Sequence, residues 1–573
     1  LLFVTASNLF AVFPAQAVRI AIDLVQENLY MYNLFAGSIL QVEVYKQLEY
    51  IILYFAAIIV FFALVKGFFM YLMRQTLIVM SRLVEYDLKN EIFNHYQQLS
   101  LSFYRKNNTG DLMARISEDV GRVRMYIGPA VMYLMNLSVT IILVLWAMFS
   151  VNVKLTFLVL LPLPILSFTI FKVNNIINKR SDAIQEQLSK LTSFVQEAFS
   201  GIRVLKAFAV ENDSRAEFEK LTDDYYNRSM NMAKVDAMFF PLMVFLTGMS
   251  TLLTIAIGGM MVINGEITIG NIAEFILYVN MLTWPVTSLG YTSSLIQRAA
   301  VSQKRINEFL QTSPDIIMHT NEVANFEKEI RFDNVSFSYE GKTQNALTTI
   351  SFVIPKGKTI AILGSTGSGK TTIVQLLLRM MDVNQGKITI DDVDLKNINI
   401  KLFKDKIGYA PQDVFMFSDS IAHNISFGLN ADAENVEARI VEAATNAALM
   451  ESVQGFKLGL NTVVGERGIT LSGGQKQRVS IARALIKNPE ILIFDDCLSA
   501  VDTKTESEIL GNLKRIMKGK TAIIISHRVS AVKDADLILV LNEGTIVETG
   551  THIELLAKKT KYAELYQSQL IED

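Results

Sequence analysis

The chain has one cysteine in 573 residues, Cys497, so no intrachain disulfide framework holds it together. It also lacks a charge excess. Lys and Arg number 54 against 56 Asp and Glu, a net charge of −2, which gives no sign of a nucleic-acid partner. No basic segment followed by an apolar run and a small-residue cleavage site is visible, so a secretory signal is not indicated. The chain begins at Leu1, already apolar, and a short native N-terminus is expected to precede it. What is abundant is apolar surface. Hydrophobic residues make up 51% and the mean hydropathy is +0.31, too apolar for a wholly soluble protein. These residues concentrate in the first half, and the length leaves room for more than one domain.

Six stretches have about the 20 residues needed to cross a bilayer: 2–25, 48–72, 126–150, 154–173, 238–262 and, less apolar, 271–290. Spans three and four join near Val151-Asn152-Val153, and five and six near Asn264-Gly265-Glu266. The second-to-third and fourth-to-fifth connections are too long for bare loops. Apolar residues at helical spacing in 82–98 and 184–210 predict helices that continue the spans. Both connections are rich in Lys and Arg and the opposite loops are not, which places the connections and both termini in the cytoplasm. Arg19 and Asp23 lie one helical turn apart on the first span and are expected to pair, as an interfacial structural contact. Pro162, Pro164 and Pro285 are expected kinks.

The second half is organised around TIAILGSTGSGKTTIV. An apolar run, Ile360 to Leu363, predicts a buried strand. It leads into Gly364, Ser365, Thr366, Gly367, Ser368, Gly369, Lys370 and Thr371, which fit G-x-x-x-x-G-K-[ST] without mismatch, and then through Thr372 into a helix. Glycines let the backbone wrap phosphate oxygens, and the helix N-terminus adds partial positive charge. Lys370 is expected to reach the β- and γ-phosphates of ATP and the Thr371 hydroxyl to ligate Mg²⁺.

Further motifs follow a polar linker, 313–329. Tyr339, after a predicted strand, offers an aromatic face to a base. Gln412 follows the strand 407–410, where it is expected to sense Mg²⁺ and the γ-phosphate. Ser472, Gly473, Gly474 and Gln475 open a helix and form a second phosphate-binding cap. The strand 491–496 ends in Asp495 and Asp496, suited to hydrated Mg²⁺. His527 follows the strand 522–525, placed for a γ-phosphate or an attacking water.

LSGGQ about a hundred residues after such a loop, then an acidic strand and a histidine, resembles the ATP-binding cassette family. With six spans ahead of it, the whole chain resembles an exporter half-transporter of the multidrug and lipid-flippase type. Residues 103–124 and 197–208 resemble that family's intracellular connections, 462–468 its exporter-specific loop, and Ser499-Ala500-Val501-Asp502 its D-loop. The resemblance implies a multi-domain fold: an all-α six-helix transmembrane domain, 1–312, then the linker and a P-loop α/β nucleotide-binding domain, 330–573. It implies ATP and Mg²⁺ as cofactors, and ATP-driven export or flipping of an unidentified substrate by alternating access. The setting would be a lipid bilayer, as a multi-pass protein of a bacterial inner membrane with the nucleotide-binding domain cytoplasmic. The working unit would be a head-to-tail dimer with a second half-transporter, each ATP lying between one chain's phosphate loop and the other's LSGGQ. Coupling segments are expected near 107–112 and 211–214.

One departure matters. Hydrolytic members usually carry glutamate, the general base, where this chain has Asp496. Asp496 is one methylene, about 1.5 Å, shorter. With Gln412 and His527 it makes up the expected catalytic set, with own-site hydrolysis weakened. Such a site resembles one half of a heterodimeric exporter, which is preferred here to a homodimer. The alternative is an ATP-binding regulatory or channel-like subunit that hydrolyses little.

Overall fold

The computed structural model describes all residues except 317–325, 343, 430–432, 466, 467 and 573. Most of the expected linker, and Glu466 and Arg467 of the exporter-specific loop, lie outside the described residues. The chain divides into two compact units, Leu1–Gln97 with Asn108–Thr312 and Gln98–Asn107 with Ser313–Asp573.

The first unit is helical: α1 (Leu2–Leu34), α2 (Ile39–Gln98), α4 (Thr109–Ala114), α5 (Val120–Met125), α6 (Val131–Val151), α7 (Val153–Leu160), α8 (Pro162–Ser200), α9 (Ile202–Phe208), α10 (Glu211–Ile263) and α11 (Ile269–Leu310). The short α3 (Leu101–Lys106) belongs to the second unit. Wide π-helical turns, Arg115–Asp119 and Tyr126–Ala130, join α4, α5 and α6. Both long connections are helical, 82–98 as the end of α2 and 184–210 as α8 and α9. Five stretches are long and apolar enough to cross a membrane among the described residues: Leu2–Leu34, Ile39–Gln98, Thr109–Val151, Glu211–Ile263 and Ile269–Leu310. The expected fourth span is not among them, because its helix is divided at Leu161. Pro162 has no N–H to donate to α7, and its ring crowds the preceding turn. Pro285, by contrast, lies inside α11.

Helix ends in this unit are marked by short polar side chains. The Asn152 side chain accepts from Leu155 N and starts α7. Thr268 and Asn271 form a capping box at the start of α11, each side chain bonding the other's backbone N–H. Packing brings α1, α6, α7, α8, α10 and α11 to one core, with Val144, Met148, Leu155, Val159, Phe275, Tyr278 and Val279 almost fully buried.

The expected Arg19–Asp23 pair is not formed. Arg19 Nε lies 3.3 Å from Glu274 Oε2 on α11, and Glu274 is 1% exposed. Tyr278 donates to the same carboxylate at 2.8 Å. Asp23 instead accepts from Gly270 N at 2.8 Å and from Thr268 Oγ1 at 2.8 Å. A carboxylate is favoured there by the helix N-terminus. Gly270 permits the approach, since a Cβ on it would lie 2.3 Å from Arg19 O and 2.6 Å from Asp23 Oδ1. Helical spacing puts Arg19 and Asp23 on one face, but the partners that desolvate that face come from α11. Arg19→Met is expected to destabilise the unit by roughly 1–3 kcal/mol, because it strands Glu274 while Arg19 itself is partly solvated. Thermal unfolding in detergent checks this, and Arg19→Met with Glu274→Leu should recover most of the loss.

A second polar network fastens α11 to the turns before α6. Arg305 Nη1 lies 3.1 Å from Asp119 Oδ2, Ser302 donates to Asp119 Oδ1 at 2.7 Å, and Arg305 also pairs with Asp111. Asp119 is 1% exposed, so these cationic and hydroxyl partners make its burial affordable.

The second unit holds two sheets. β1 (Glu329–Phe337), β2 (Leu347–Pro355), β4 (Gln385–Ile390) and β5 (Val393–Asp394) form an antiparallel sheet in the order β2-β1-β4-β5. β3 (Thr359–Gly364), β6 (Ile407–Ala410), β7 (Ile491–Asp495), β8 (Thr521–Ser526), β9 (Leu537–Asn542) and β10 (Thr545–Gly550) form the other, ordered β10-β9-β3-β8-β7-β6. In it β9 to β6 run parallel and β10 pairs antiparallel to β9. Both faces of the parallel strands are covered, which is why they read as unbroken apolar runs. Ile360, Ile362, Ile491, Ile493, Ile523 and Ile525 enter one core, while Ala361, Leu363, Leu492, Phe494, Ala522 and Ile524 enter the other. Each large side chain so buried contributes about 1.5–3 kcal/mol. The helices are α12 (Lys370–Leu377), α13 (Ile400–Asp405), α14 (Ile421–Ser426), α15 (Val436–Asn446), α16 (Met450–Gln454), α17 (Gly473–Leu485), α18 (Thr503–Met517), α19 (Val529–Val532), α20 (His552–Lys558) and α21 (Lys561–Glu572).

Candidate nucleotide site

The carboxyl ends of β3, β6, β7 and β8 lie side by side, and each delivers a polar group to one place. A cavity of about 450 Å³ opens there, lined by Tyr339, Thr366, Gly367, Gly369, Lys370, Thr371, Thr372, Gln412, Asp495, Asp496 and His527.

The loop between β3 and α12 is tight because its glycines allow it. Gly369 has φ +100°, and a Cβ on it would lie 2.5 Å from Ala346 O. Gly364 approaches Leu541 O just as closely, at 2.4 Å from where a Cβ would be. Gly364, Ser365 and Ser368 are not in the lining, and Ser368 is buried. Lys370 Nζ donates to Gly364 O at 2.7 Å and Ser365 O at 2.8 Å, so the ammonium folds back over the loop. Burial holds its pKa below the ordinary lysine value, opposed by Asp496 and Asp495.

Thr371 Oγ1 donates to Asp495 Oδ1 at 3.1 Å, and Asp495 Oδ2 is buried without a hydrogen bond of ordinary geometry. Burial pushes the Asp495 carboxyl up to about 6; the nearby Asp496 charge adds to this and the Thr371 bond opposes it. A bound divalent cation would stabilise the charged form of such a group. Among the described residues no group of three or more His, Cys, Asp and Glu could hold a metal. The oxygen donors in the lining that would hold such a cation are Thr371, Asp495 and Gln412, with nucleotide oxygens and water completing the shell that Mg²⁺ prefers.

Asp496 follows β7 with φ +47°, a left-handed conformation that Asp accepts more readily than Glu. Its N–H bonds Ile525 O at 2.9 Å, which ties β7 to β8 at this point. Its carboxylate lies 2.9 Å from His527 Nδ1 and 3.4 Å from Gln412 Nε2. The three expected catalytic side chains thus meet. Tyr339 stands just past β1, its hydroxyl 2.9 Å from Thr372 Oγ1.

Ser472, Gly473, Gly474 and Gln475 do not line this cavity. Ser472 caps α17 in a capping box with Gln475. The next turn ties the helix to Ser499 and Ala500: Gln477 Nε2 donates to Ser499 Oγ at 3.0 Å and its Oε1 accepts from Ala500 N at 2.9 Å.

Sequence reasoning missed Lys342, Gln344, Asn345, Ala346, Glu543 and Gly544 in the lining. The last two form the β9–β10 turn, with φ +46° and +77°, and Gly544 N donates to Ser368 O at 3.1 Å. The available signal was Glu543-Gly544 between two apolar runs, the mark of a two-residue hairpin.

Comparisons with known proteins bear on the family and the fold. The family model of the ABC transporter transmembrane region matches residues 16–286, and the ABC transporter family model matches 347–499. A probable multidrug resistance ABC transporter ATP-binding/permease protein of Bacillus subtilis, YheI, is 39% identical over 85% of this chain and 83% of its own length. The multidrug resistance-like ATP-binding protein MdlA of Escherichia coli is 34% identical over 91% and 88%, and the ATP-dependent lipid A-core flippase of Syntrophus aciditrophicus 34% over 90% and 85%. In fold, a bacterial Atm1-family ABC exporter solved with ATP bound superposes with TM-score 0.73 at 24% identity, over 98% of this chain and 97% of that one. With its transmembrane region and ATP-binding domain fused in one polypeptide, the chain belongs to the ABC transporter family, among the multidrug and lipid exporter half-transporters.

Proposed function

We propose that this chain couples ATP hydrolysis to the export or flipping of an amphipathic substrate, as one half of a pair of half-transporters in a bacterial inner membrane. The observation that carries this reading is an incomplete site. Tyr339, Lys370, Thr371, Gln412, Asp495, Asp496 and His527 converge on one cavity, while the signature Ser472–Gln475 lies outside it. A second chain's signature is what would close over a nucleotide here, and ATP shared by two chains shifts the pair towards closure by binding that state better. The membrane spans then alternate access, with 211–214, at the start of α10, as a coupling segment on the cytoplasmic side. The other coupling segment lies near 107–112.

Each side chain has a role. Main-chain N–H groups of the loop and Lys370 hold phosphate oxygens; Tyr339 faces the base. Thr371, Asp495 and Gln412 would hold Mg²⁺, which would supply charge neutralisation to the nucleotide's phosphates. Asp496 accepts a proton from the attacking water, and His527 holds the Asp496 carboxylate and the γ-phosphate side of the cavity. Asp496→Glu is expected to raise turnover at this chain's own site by roughly tenfold or more with ATP affinity little changed, since it restores the reach of the base. Asp496→Asn should slow whatever turnover the site has. An Asp496→Glu variant no faster than the parent would remove Asp496 as the limiting group.

The short base supports a second reading, a regulatory subunit that closes on ATP and turns over slowly. Proteoliposomes separate the two. Export predicts ATP-dependent, vanadate-sensitive movement of a fluorescent amphiphile or labelled lipid in one direction; ATP binding without directional movement favours the regulator.

A further inference from the structure

We infer that Arg105 is a positioning residue for the nucleotide base, holding the Tyr339 ring from the side opposite the phosphate loop. The inference rests on Tyr339 being the base-stacking residue. Arg105 lies on α3, within the ten residues Gln98–Asn107 that pack as part of the second unit. Its guanidinium carbon stands 4.9 Å from the centre of the Tyr339 ring. Nη2 donates to Gln375 Oε1 at 3.1 Å, and Nη1 points at Met381 Sδ, 3.6 Å away. The Tyr339 hydroxyl reaches the same Gln375 oxygen at 3.4 Å as well as Thr372 Oγ1. Gln375 and Thr372 belong to α12, the helix that begins at Lys370. One arginine therefore braces both the aromatic ring and the phosphate-loop helix.

The ring is a wall between two cavities. One is the phosphate-loop cavity, which Arg105 does not line. The other, of about 610 Å³, is lined by Ser100, Ser102, Arg105, Lys106, Asp315 and Met381 among others, and shares Tyr339 and Lys342 with the first. Arg105 thus leaves the phosphate-loop side of the ring to a base. A planar guanidinium on one face is attracted by the ring quadrupole and fixes the tilt of the ring. A base stacking on the other face then finds its partner already ordered. Linkage makes the effect reciprocal, so a bound base tightens the hold on 98–107 as much as Arg105 tightens the hold on the base. Neighbouring contacts anchor the same segment: Ser100 Oγ donates to Asp315 Oδ2 at 2.7 Å, and Lys106 pairs with Glu340.

The test is equilibrium binding to the purified full-length transporter with Mg²⁺, using ATP and inorganic tripolyphosphate, which has no base. Arg105→Ala should weaken ATP about two- to fivefold, as expected for a solvent-exposed cation–π contact, and leave tripolyphosphate unchanged. Arg105→Lys, which keeps the charge but not the plane, should recover only part. Tyr339→Ala should weaken ATP by roughly fivefold or more, and adding Arg105→Ala to it should change nothing further. Equal loss for ATP and tripolyphosphate in Arg105→Ala, loss for neither, or an additive double variant would each overturn the inference. If Tyr339→Ala itself leaves ATP binding intact, the base-stacking reading falls and this inference with it. If Tyr339→Ala discriminates between the probes and Arg105→Ala does not, only the inference falls.

Discussion

Lys370→Ala is expected to reduce ATP turnover by about 10²–10³-fold or more and to weaken ATP binding as well. The Lys370 ammonium bonds the Gly364 and Ser365 carbonyls, and a nucleotide would offer it phosphate oxygens instead. Alanine leaves those carbonyls to water, at little cost, because the loop is also held from outside by the β9–β10 turn through Gly544 N and Ser368 O. The fold should therefore survive while the function does not. Lys370→Arg is not expected to rescue, since a planar fork does not fit a cradle shaped for a point charge. Thermal unfolding near that of the parent together with lost ATPase is the predicted pair of results. Unchanged ATP binding and hydrolysis would remove the phosphate-loop assignment.

Ser472→Arg is expected to be as damaging, for a different reason. Ser472 is exposed and outside its own chain's cavity, so the substitution leaves the local phosphate loop intact. It removes an N-cap, worth about 1 kcal/mol to α17, and places bulk where a partner's γ-phosphate must enter. ATPase of the assembled complex should fall about 100-fold or more, the scale of losing preorganised donors, while binding to this chain's loop is retained. Comparison with Asp496→Asn distinguishes the assemblies. In a heterodimer with a faster partner site, Ser472→Arg is the worse of the two. In a homodimer both are severe, because every site uses both residues. Normal ATPase in Ser472→Arg would overturn the head-to-tail pairing itself.

What could be read from the sequence was whatever is local. The strand, glycine turn and helix around Lys370 are contiguous, and β6, β7 and β8 fall on the apolar runs that precede Gln412, Asp496 and His527. The junctions at Asn152 and Gly265 were visible for the same reason. What escaped was long-range. Helical spacing shows that Arg19 and Asp23 share a face but not that Glu274 arrives to take the arginine and Thr268 the aspartate. An acid within the stretch 271–290 was the available clue. Asp119 gave no sign of its partners on α11, because charges in a connection rich in Lys and Arg read as solvated. Arg105 was counted there too, among positive charges, and nothing nearby in sequence points to Tyr339.

The inclusion of Gln98–Asn107 in the second unit has a consequence for biosynthesis. This segment leaves the ribosome before most of the first unit, whereas the strands and helices it packs against begin only after Ser313. At about 5–20 residues per second it waits on the order of tens of seconds for them. The nucleotide-binding unit thus finishes folding around a piece of chain already tethered at both ends to earlier helices. A fragment starting at Ser313 would be born without the arginine that packs against its own Tyr339 ring.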